Sequence, residues 1–300
     1  MTERVDGPPA ATGAERQRLL PDALRLGAVV LRVSDLRRSL DYYTQVLGLE
    51  ARDVTATTAA LHAHGEEAPL VVLDAHPDTS PVRMQSRLGL YHFAILLPDR
   101  AALGRFLAHV STAGIHVGAS NHLVSEALYL RDPDGLGIEV YADRPRSEWR
   151  YGGGELAMAS DPLDMAGVVA AARGEKWAGM PPGTVLGHVH LHVGDLGEAS
   201  RFYRDALGFD RVVWSYPGAL FLSAGGYHHH LGVNTWAGPN APRSGEKDAR
   251  LLEWRMIFPS ADDARAAADR LRAAGQDVQP SGDEWIVADP WGTPLRLTTR

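Results

Sequence analysis

The chain repeats a block of sequence at a constant spacing of 160 residues. Residues 27–49 read GAVVLRVSDLRRSLDYYTQVLGL, and residues 187–209 read GHVHLHVGDLGEASRFYRDALGF. Each copy begins with the alternating apolar pattern of a strand, turns at Asp-Leu and continues as an amphipathic helix that ends at glycine. Because a repeat determines the number of structural units, it constrains the fold more than any single motif does.

A weaker repeat follows the same plan. Residues 89–114 and 251–275 each predict a strand and a helix. Each segment leads to a hairpin turn and a last strand, DPDGLGIEV at 132–140 and DPWGTPLRL at 289–297. The chain is therefore predicted to contain four units, each with one strand, one helix and three further strands. We place these units at residues 26–78, 88–142, 185–238 and 249–300.

A single unit of this kind leaves one sheet face open, so two units must pair into a cupped, half-closed barrel. Four units predict an α+β fold with two barrels, which suits 300 residues divided into two domains, 26–142 and 185–300. Residues 1–25 are predicted to form an N-terminal arm. Residues 143–184 form a connecting segment, and its length indicates either a functional role or a crossover between distant units.

The composition excludes several kinds of site and partner. The chain has no cysteine, which excludes disulfides, zinc–thiolate sites, iron–sulfur clusters and thiol nucleophiles. The formal net charge is −7 and there is no basic run, so nucleic acid is not an expected partner. We expect a cytoplasmic protein without a membrane partner, because no apolar stretch suits a signal peptide or a membrane span. The sequence is compatible with a homo-oligomer but leaves the oligomeric state open.

Three residues at equivalent points of the repeat have the chemistry of metal ligands. His92 and His188 lie on the first strands of the second and third units, and Glu139 lies on the last strand of the second unit. Strand alternation turns all three side chains into the cup, while their apolar neighbours face the helices. Two imidazoles and one carboxylate suit a non-haem Fe(II) centre with open coordination positions, and Mn(II) accepts the same ligands.

The positions of these residues also predict how the units pair. Every candidate ligand lies in the second and third units, so pairing in chain order would divide the site between two barrels. Pairing the second unit with the third completes one barrel and leaves the first and fourth units to form a structural one. In that structural barrel Glu253 and Arg296 are expected to form an ion pair, because a lone buried charge is costly.

Three longer segments resemble a known family. They are YHFAILLPDR (91–100), HLVSEALYLRDPDGLGIEVYADRP (122–145) and GGYHHHLGVNTW (225–236). Together with the repeated V-x-DL…FY…LG pattern, they are similar to the vicinal-oxygen-chelate superfamily, and within it to the two-domain catechol-2,3-dioxygenase branch. The resemblance covers residues 26–300. It implies an Fe(II)-dependent extradiol dioxygenase that cleaves a catechol-type substrate with O₂.

The resemblance also implies residues that handle protons beside the metal. It points to His229 or His230 as the acid–base group. Tyr129 and His122 are implied as its neighbours. Strand alternation favours His230 in the cup, whereas direct matching of the motif favours His229, and the sequence leaves both open. Tyr129 and Glu139 are expected on adjacent antiparallel strands, because the DPDG turn joins them.

Two other functions occur in the same superfamily and are alternatives for this chain. A glyoxalase-like, metal-dependent isomerase or lyase normally uses four protein ligands, with a glutamate from each unit, whereas the third unit here offers histidine. A non-catalytic small-molecule-binding resistance protein commonly lacks the metal triad that this chain contains. Both alternatives therefore fit the residues less well than ring cleavage does.

Overall fold

The computed structural model describes residues 19–83, 86–238 and 240–300. Residues 1–18 of the predicted N-terminal arm lie outside the described residues, and Arg25–Leu26 form a short strand, β1. All four predicted units are present, and each contains a strand, a helix and three strands in that order. In the described part of the chain, no helix is both long and apolar enough to cross a lipid bilayer.

The first two units precede the connecting segment. The elements of the first unit are β2 (Val29–Val33), α1 (Leu36–Gln45), β3 (Glu50–Arg52), β4 (Thr58–His62) and β5 (Val71–Ala75). Those of the second unit are β6 (Gly89–Leu96), α2 (Arg100–Thr112), β7 (Gly118–Asn121), β8 (Ser125–Arg131) and β9 (Gly137–Asp143). The connecting segment contains a 3-10 turn (Arg146–Glu148), a hairpin of β10 (Tyr151–Gly152) and β11 (Glu155–Leu156), and α3 (Met165–Ala171).

The last two units follow the same order of elements. Those of the third unit are β12 (Val185–His192), α4 (Leu196–Ala199), β13 (Asp210–Val213), β14 (Ala219–Ser223) and β15 (Leu231–Asn234). Helix α4 continues as a π-helical segment, Ser200–Leu207. Those of the fourth unit are β16 (Arg250–Ile257), α5 (Ala261–Ala273), β17 (Gln279–Ser281), β18 (Glu284–Ala288) and β19 (Pro294–Thr298).

The strands form two large curved sheets, and the pairing of units is the one predicted from the ligand positions. One sheet has the order β13-β14-β15-β12-β6-β9-β8-β7, so it joins the second and third units, and we name it the inner barrel. The other has the order β17-β18-β19-β16-β2-β5-β4-β3, with β1 on β16, and we name it the outer barrel. The central strands β6 and β12 run antiparallel, as do β16 and β2.

Repeated N-caps start the main helices of the four units. In each case a side-chain oxygen accepts a hydrogen bond from the backbone N–H three residues further on, and the residues are Asp35, Asp99, Asp195 and Ser260. Such a cap satisfies a donor that the first turn of a helix leaves unpaired. The Asp-Leu turns of the sequence repeat are therefore helix starts.

Strand β12 shows how the alternation divides core from cup. Val189 and Leu191 are fully buried in the main apolar core together with Tyr203 of the adjoining helix. His188 and His190 lie on the opposite face, and they line a cavity. The apolar face is held against the helices by the hydrophobic effect, so the imidazoles have no alternative to the cup.

A buried tyrosine links the two barrels in each half of the chain. Tyr43 of α1 in the outer barrel donates its hydroxyl to Asp132 of the inner barrel at 3.3 Å. In the second half, Tyr203 of the inner barrel donates to Asp289 of the outer barrel at 2.9 Å. The repeated Tyr of the helix and the repeated Asp-Pro of the hairpin are therefore two ends of one contact between sheets.

The predicted ion pair of the outer barrel is present. Two nitrogens of Arg296 donate to the Glu253 carboxylate, Nη2 to Oε2 at 2.7 Å and Nε to Oε1 at 2.8 Å. Arg296 also donates to Glu284 at 2.8 Å, and Arg255 donates to Glu253 at 2.9 Å. The charges therefore compensate each other without another ion.

Register shows that this ion pair replaces the candidate metal ligands of the inner barrel. Arg296 of β19 is paired with Arg255 of β16, as Glu139 of β9 is paired with Ala94 of β6. Arg296 thus occupies the outer-barrel counterpart of Glu139. The two barrels share one frame, but the outer one has a guanidinium where the inner one has a carboxylate.

Candidate metal centre

Three neighbouring strands at the centre of the inner barrel bring the predicted ligands together. Strand β6 carries His92, and two residues later Ala94 is paired with His188 of β12 on one side and Glu139 of β9 on the other. His92, Glu139 and His188 are almost completely buried. The side chain of Ala94 is a single methyl group, so the space between the flanking side chains stays free.

The ligand atoms of the three residues converge on one point. Glu139 Oε2 lies 3.0 Å from His92 Nε2 and 3.1 Å from His188 Nε2. The centroids of the two imidazole rings are 5.5 Å apart. Two ligand atoms that bind one metal at about 2.1 Å and at right angles lie about 3.0 Å from each other. The spacing therefore suits a single ion held by all three side chains.

The protonation states of these residues also suit a metal. Burial lowers the pKa of both His92 and His188, which leaves the rings neutral with a free lone pair. Burial alone would raise the pKa of Glu139, but His188 and His92 hold it well below its usual range. The carboxylate is therefore ionised and both imidazoles can coordinate.

One orphaned atom supports this interpretation. Nε2 of His92 is buried and has no hydrogen bond among the described residues, although the carboxylate of Glu139 is 3.0 Å away. The two atoms are close, but their geometry is not that of a hydrogen bond. Buried polar atoms without a partner are rare and need an explanation. A cation between the imidazole and the carboxylate would satisfy both.

A chain of hydrogen bonds orients a further histidine beside the candidate ligands. The ring of His229 lines the cavity and packs on His188, with centroids 4.0 Å apart. Nδ1 of His229 lies 2.7 Å from Nδ1 of His228, and Nε2 of His228 lies 2.8 Å from the Asp143 carboxylate. Because the carboxylate accepts, a neutral His228 donates from Nε2 and accepts at Nδ1. His229 then carries its proton on Nδ1.

His229 is therefore left with one nitrogen that can accept a proton. Burial lowers the pKa of His229 well below its usual value, and the neighbouring histidines add to this effect. The ring is neutral, and Nδ1 is occupied by the bond to His228. Nε2 is the remaining lone pair, so the arrangement is that of a base positioned by Asp143 through His228.

His230 does not line the cavity. Strand alternation therefore predicted the wrong direction for its side chain. Its Nδ1 accepts from the backbone N–H of Ala224 at 3.2 Å and lies 3.2 Å from the Ser223 hydroxyl. Strand β15 begins only at Leu231, so the three consecutive histidines precede it and do not alternate. The histidine that matching of the motif favoured, His229, is the one beside His188.

Tyr129 and His122 form a hydrogen-bonded pair next to Glu139. Tyr129 is paired with Glu139 across β8 and β9, as the DPDG turn predicts. The hydroxyl of Tyr129 lies 2.6 Å from Nε2 of His122, whose Nδ1 lies 2.6 Å from the Ala159 carbonyl oxygen. Because that oxygen accepts, Nδ1 carries the proton and Nε2 accepts from Tyr129. Burial raises the pKa of Tyr129 well above its usual value, and Glu139 adds to this, so the phenol stays protonated.

Two further histidines of β12 are held by one asparagine and are not among the candidate ligands. Asn234 donates to Nε2 of His190 at 2.9 Å, and its Oδ1 accepts from Nδ1 of His192 at 2.7 Å. Burial lowers the pKa of His192 to about 4 and that of His190 well below its usual value. Both rings are neutral, and Asn234 occupies the His190 nitrogen that could otherwise bind a metal.

The candidate centre opens into a cavity of about 170 Å³. Half of the remaining lining residues are aromatic, and three consecutive residues of the connecting segment also line the cavity. Besides the residues already described, the cavity is lined by Tyr91, Ser120, Met158, Ala159, Ser160, Tyr216, Phe221 and Trp236. A flat aromatic molecule that binds at the centre would lie against these rings.

Comparison with known proteins assigns this architecture to a family. The sequence model of the Glyoxalase/Bleomycin resistance protein/Dioxygenase superfamily matches residues 25–140 and 185–295. The chain belongs to this superfamily. A catechol-2,3-dioxygenase of Bacillus subtilis (strain 168) is 44% identical over 268 residues, which are 88% of this chain and 93% of that relative.

Solved structures of other proteins show the same fold at much lower identity. A protein of Bacillus subtilis subsp. subtilis str. 168, provisionally named a dioxygenase, has a TM-score of 0.62 at 13% identity, over 91% of this chain and 84% of its own. Glyoxalase I from Zea mays has a TM-score of 0.54 at 19% identity, over 92% of each chain. At such identities the likeness concerns the scaffold alone, because one fold supports many activities.

Several residues of the site are not identified from sequence. Asp143 is on the same strand face as Glu139, four residues further along β9, so alternation is a signal that could have found it. His228 lies within the histidine run, but its role depends on the contact with Asp143. The segment Met158–Ser160 has no residue type that marks a site, and only the path of the connecting segment brings it there.

Proposed function

We propose that this protein is an Fe(II)-dependent extradiol dioxygenase, which cleaves the ring of a catechol-type substrate beside its two hydroxyl groups. The observation that supports this most is the convergence of His92, Glu139 and His188 within reach of one ion. The 44% identity to a catechol-2,3-dioxygenase over most of both chains supports the same class of reaction.

The proposed reaction balances with O₂ as the single co-substrate. The bond between a hydroxyl-bearing ring carbon and its neighbour outside the diol breaks, and so does the O–O bond. One oxygen atom enters the carboxyl group that forms at the first carbon, and the other enters the aldehyde that forms at the second. All electrons that reduce O₂ come from the substrate, so no further reductant is needed.

Fe(II) suits the proposed ligand set and the reaction, and Mn(II) is compatible with the same ligands. When bound, the ion supplies a place where the catechol oxygens and O₂ meet and a path for electrons between them. His92, Glu139 and His188 would hold it. The other tasks, which are proton transfer, orientation and exclusion of water, belong to side chains of the cavity.

His229 is proposed to take a proton from a catechol hydroxyl. Its neutral ring has Nε2 free for this purpose, because Asp143 and His228 occupy Nδ1. The same nitrogen can return the proton when the product forms. A positioned base of this kind typically contributes about 10²- to 10⁴-fold to the rate.

We propose that Tyr129 acts as a protonated phenol beside the candidate metal ligands. Its phenol stays protonated, and His122 holds its hydroxyl in place from the far side. The Ala159 carbonyl determines the tautomer of His122, which links this pair to the connecting segment. A fixed hydroxyl beside Glu139 can orient a substrate oxygen by hydrogen bonding.

The glyoxalase-like alternative needs a fourth protein ligand, and glycine occupies the position where that ligand is expected. Glu139 is paired with Ala94 of β6. Its counterpart in the third unit is Gly232, which is paired with His190 of β12. A Cβ atom at Gly232 would lie 2.9 Å from the His190 ring, which is too close for any side chain without a shift. This counts against chemistry with four protein ligands.

Anaerobic reconstitution tests the proposal. The metal-free protein is loaded with Fe(II) in the absence of O₂, catechol is added, and O₂ is admitted while its uptake and the absorbance are recorded. We expect one O₂ consumed per catechol and a yellow ring-cleaved product. No O₂ uptake with any of several catechols, although Fe(II) is bound, would contradict the proposal.

A further inference from the structure

The outer part of the cavity has a continuous aromatic wall. Trp236 lies edge-on to Tyr91 with ring centroids 5.7 Å apart, and Tyr216 lies edge-on to Phe221 at the same 5.7 Å. Phe221 also meets His229 at 5.0 Å. Edge-to-face packing of this kind holds the rings in place. The wall is therefore rigid and presents carbon surface.

Some polar atoms of this wall already have hydrogen-bond partners within the protein. Nε1 of Trp236 donates to the Pro217 carbonyl at 3.0 Å. The hydroxyl of Tyr216 lies 2.9 Å from that of Ser160, and the two share one hydrogen bond. These bonds reduce the hydrogen-bonding capacity of the wall towards a charged substituent of a ligand.

Part of the cavity is lined by residues without charge. Met158, Ala159 and Ser160 of the connecting segment line it. The carbonyl oxygen of Ala159 is committed to His122 at 2.6 Å, which holds this stretch of backbone against the site. Among the described residues that line the cavity, Glu139 is the one carboxylate, and none is lysine or arginine.

A cluster of arginines lies nearby but outside the cavity. Arg131 lines a separate groove that shares Tyr91 with the cavity, and it donates to the Gly135 carbonyl at 2.7 Å. Tyr91 lines both this groove and the cavity, whereas Arg131 lines the groove alone. The Arg131 guanidinium is therefore not among the groups that line the cavity.

From this wall and its lack of a cation we infer that the site selects catechols whose ring substituents are uncharged, such as hydrogen or short alkyl groups, and rejects those with a carboxylate. This inference rests on the proposed function. An ionised substituent would leave water for a largely aromatic space that offers it no lysine or arginine as a counter-charge. An alkyl group has no such desolvation cost in the cavity, and it gains apolar contact with the aromatic rings.

A pair of substrates of similar length tests the selectivity. The Fe(II) enzyme is given 4-ethylcatechol or 3,4-dihydroxyphenylacetate, in which a methylene group insulates the ring from the carboxylate. We expect kcat/KM to be higher for 4-ethylcatechol by about 100-fold or more, as for a charge that binds without a partner. Equal values, or a preference for the carboxylate, would overturn the inference while the proposed function stands.

A cation placed in the wall should relax this selectivity. Met158→Lys adds a positive charge to the cavity, and the control Met165→Lys adds the same charge at an exposed position of α3. We expect the preference for 4-ethylcatechol to fall by about tenfold or more in the first variant, as for one new ion pair, and to keep its wild-type value in the second. The same preference in both variants would contradict a selection based on charge inside the cavity.

A binding measurement separates this inference from the proposed function. Calorimetric titration of the Fe(II) protein with each ligand, without O₂, reports affinity independently of turnover. Tighter binding of 4-ethylcatechol, without ring cleavage when O₂ is then admitted, would contradict the proposed function and support the charge selectivity. Binding of neither compound would overturn both.

Discussion

At the scale of single residues, the Glu139 carboxylate lies 3.0 and 3.1 Å from the Nε2 atoms of His92 and His188. Each of the three was predicted to point into the cup, because strand alternation and the repeat determine where such side chains go. The same reasoning gave the wrong direction for His230. The local backbone there is not a strand, and periodicity carries no information outside regular structure.

Glu139→Gln should lose the metal. The amide has no negative charge to offset the ion, so we expect the affinity for Fe(II) to fall by about 100-fold or more. This exceeds the loss expected when a residue that only hydrogen-bonds to a metal ligand is replaced. Glu253→Gln is the matched control, since it removes a carboxylate from the outer barrel and should leave the metal content unchanged. Metal analysis after dialysis measures both, and equal loss in the two variants would place the metal elsewhere.

His229→Asn and His230→Asn distinguish the two histidines that the sequence left open. We expect the His229 variant to bind Fe(II) normally but to lose about 10²- to 10⁴-fold in kcat, as for a missing base. The His230 variant should lose less than about tenfold, because its ring bonds to Ser223 and Ala224 outside the cavity. A larger loss in the His230 variant would reverse the assignment.

At the scale of elements, the repeated plan of the units follows from local signals that the sequence shows directly. The Asp-Leu turn is an N-cap, and glycine ends the helix, as at Gly208 with a φ of 109°. The link between Tyr203 of the π-helical segment and Asp289 after β18 could not be predicted. It joins two sheets, and the pairing of residues 86 positions apart depends on the tertiary arrangement.

Tyr203→Phe should destabilise the protein without affecting the site. It removes a buried hydrogen bond of 2.9 Å, so we expect the free energy of unfolding to fall by about 1–2 kcal/mol. Tyr42→Phe is the control, because its hydroxyl has no hydrogen bond among the described residues, and its effect should stay below about 0.5 kcal/mol. Urea denaturation compares them, and equal effects would contradict a structural role for the Tyr203 contact.

At the scale of the whole molecule, the ligand count predicted which units pair, because a divided site could not hold a metal. The structure has that pairing, with the second unit beside the third. The path of residues 143–184 could not be derived in the same way, since its contacts with the cavity depend on loop geometry. The two barrels therefore differ in role. The outer barrel contains an ion pair where the inner barrel contains candidate metal ligands.

Acid should destabilise the metal-free protein. Burial lowers the pKa of six histidines, His92, His188, His190, His192, His229 and His230. The unfolded chain takes up these protons near pH 6.5, but the folded chain does so only at lower pH, about 4 for His192 and about 3 for His230. The stability that these groups contribute is therefore present above about pH 6.5 and is lost as the pH falls towards those values.

Urea denaturation at pH values between 8 and 5 measures this effect. The free energy of unfolding should be nearly constant above pH 7 and should fall below it. Its slope against pH should correspond to several protons taken up on unfolding. His192→Gln should reduce the slope by about one proton. Stability that rises as the pH falls from 7 to 5 would show that the histidines are not buried in neutral form.

A titration of the metal-free protein with Fe(II) under anaerobic conditions, with catechol cleavage assayed at each point, tests the central claim most directly. If the inner barrel is the catalytic one and the outer barrel is structural, activity should rise linearly with added Fe(II) and stop at one ion per chain, in agreement with the single group of candidate ligands in the described residues. A break at two ions per chain, or activity that does not follow the bound metal, would contradict it.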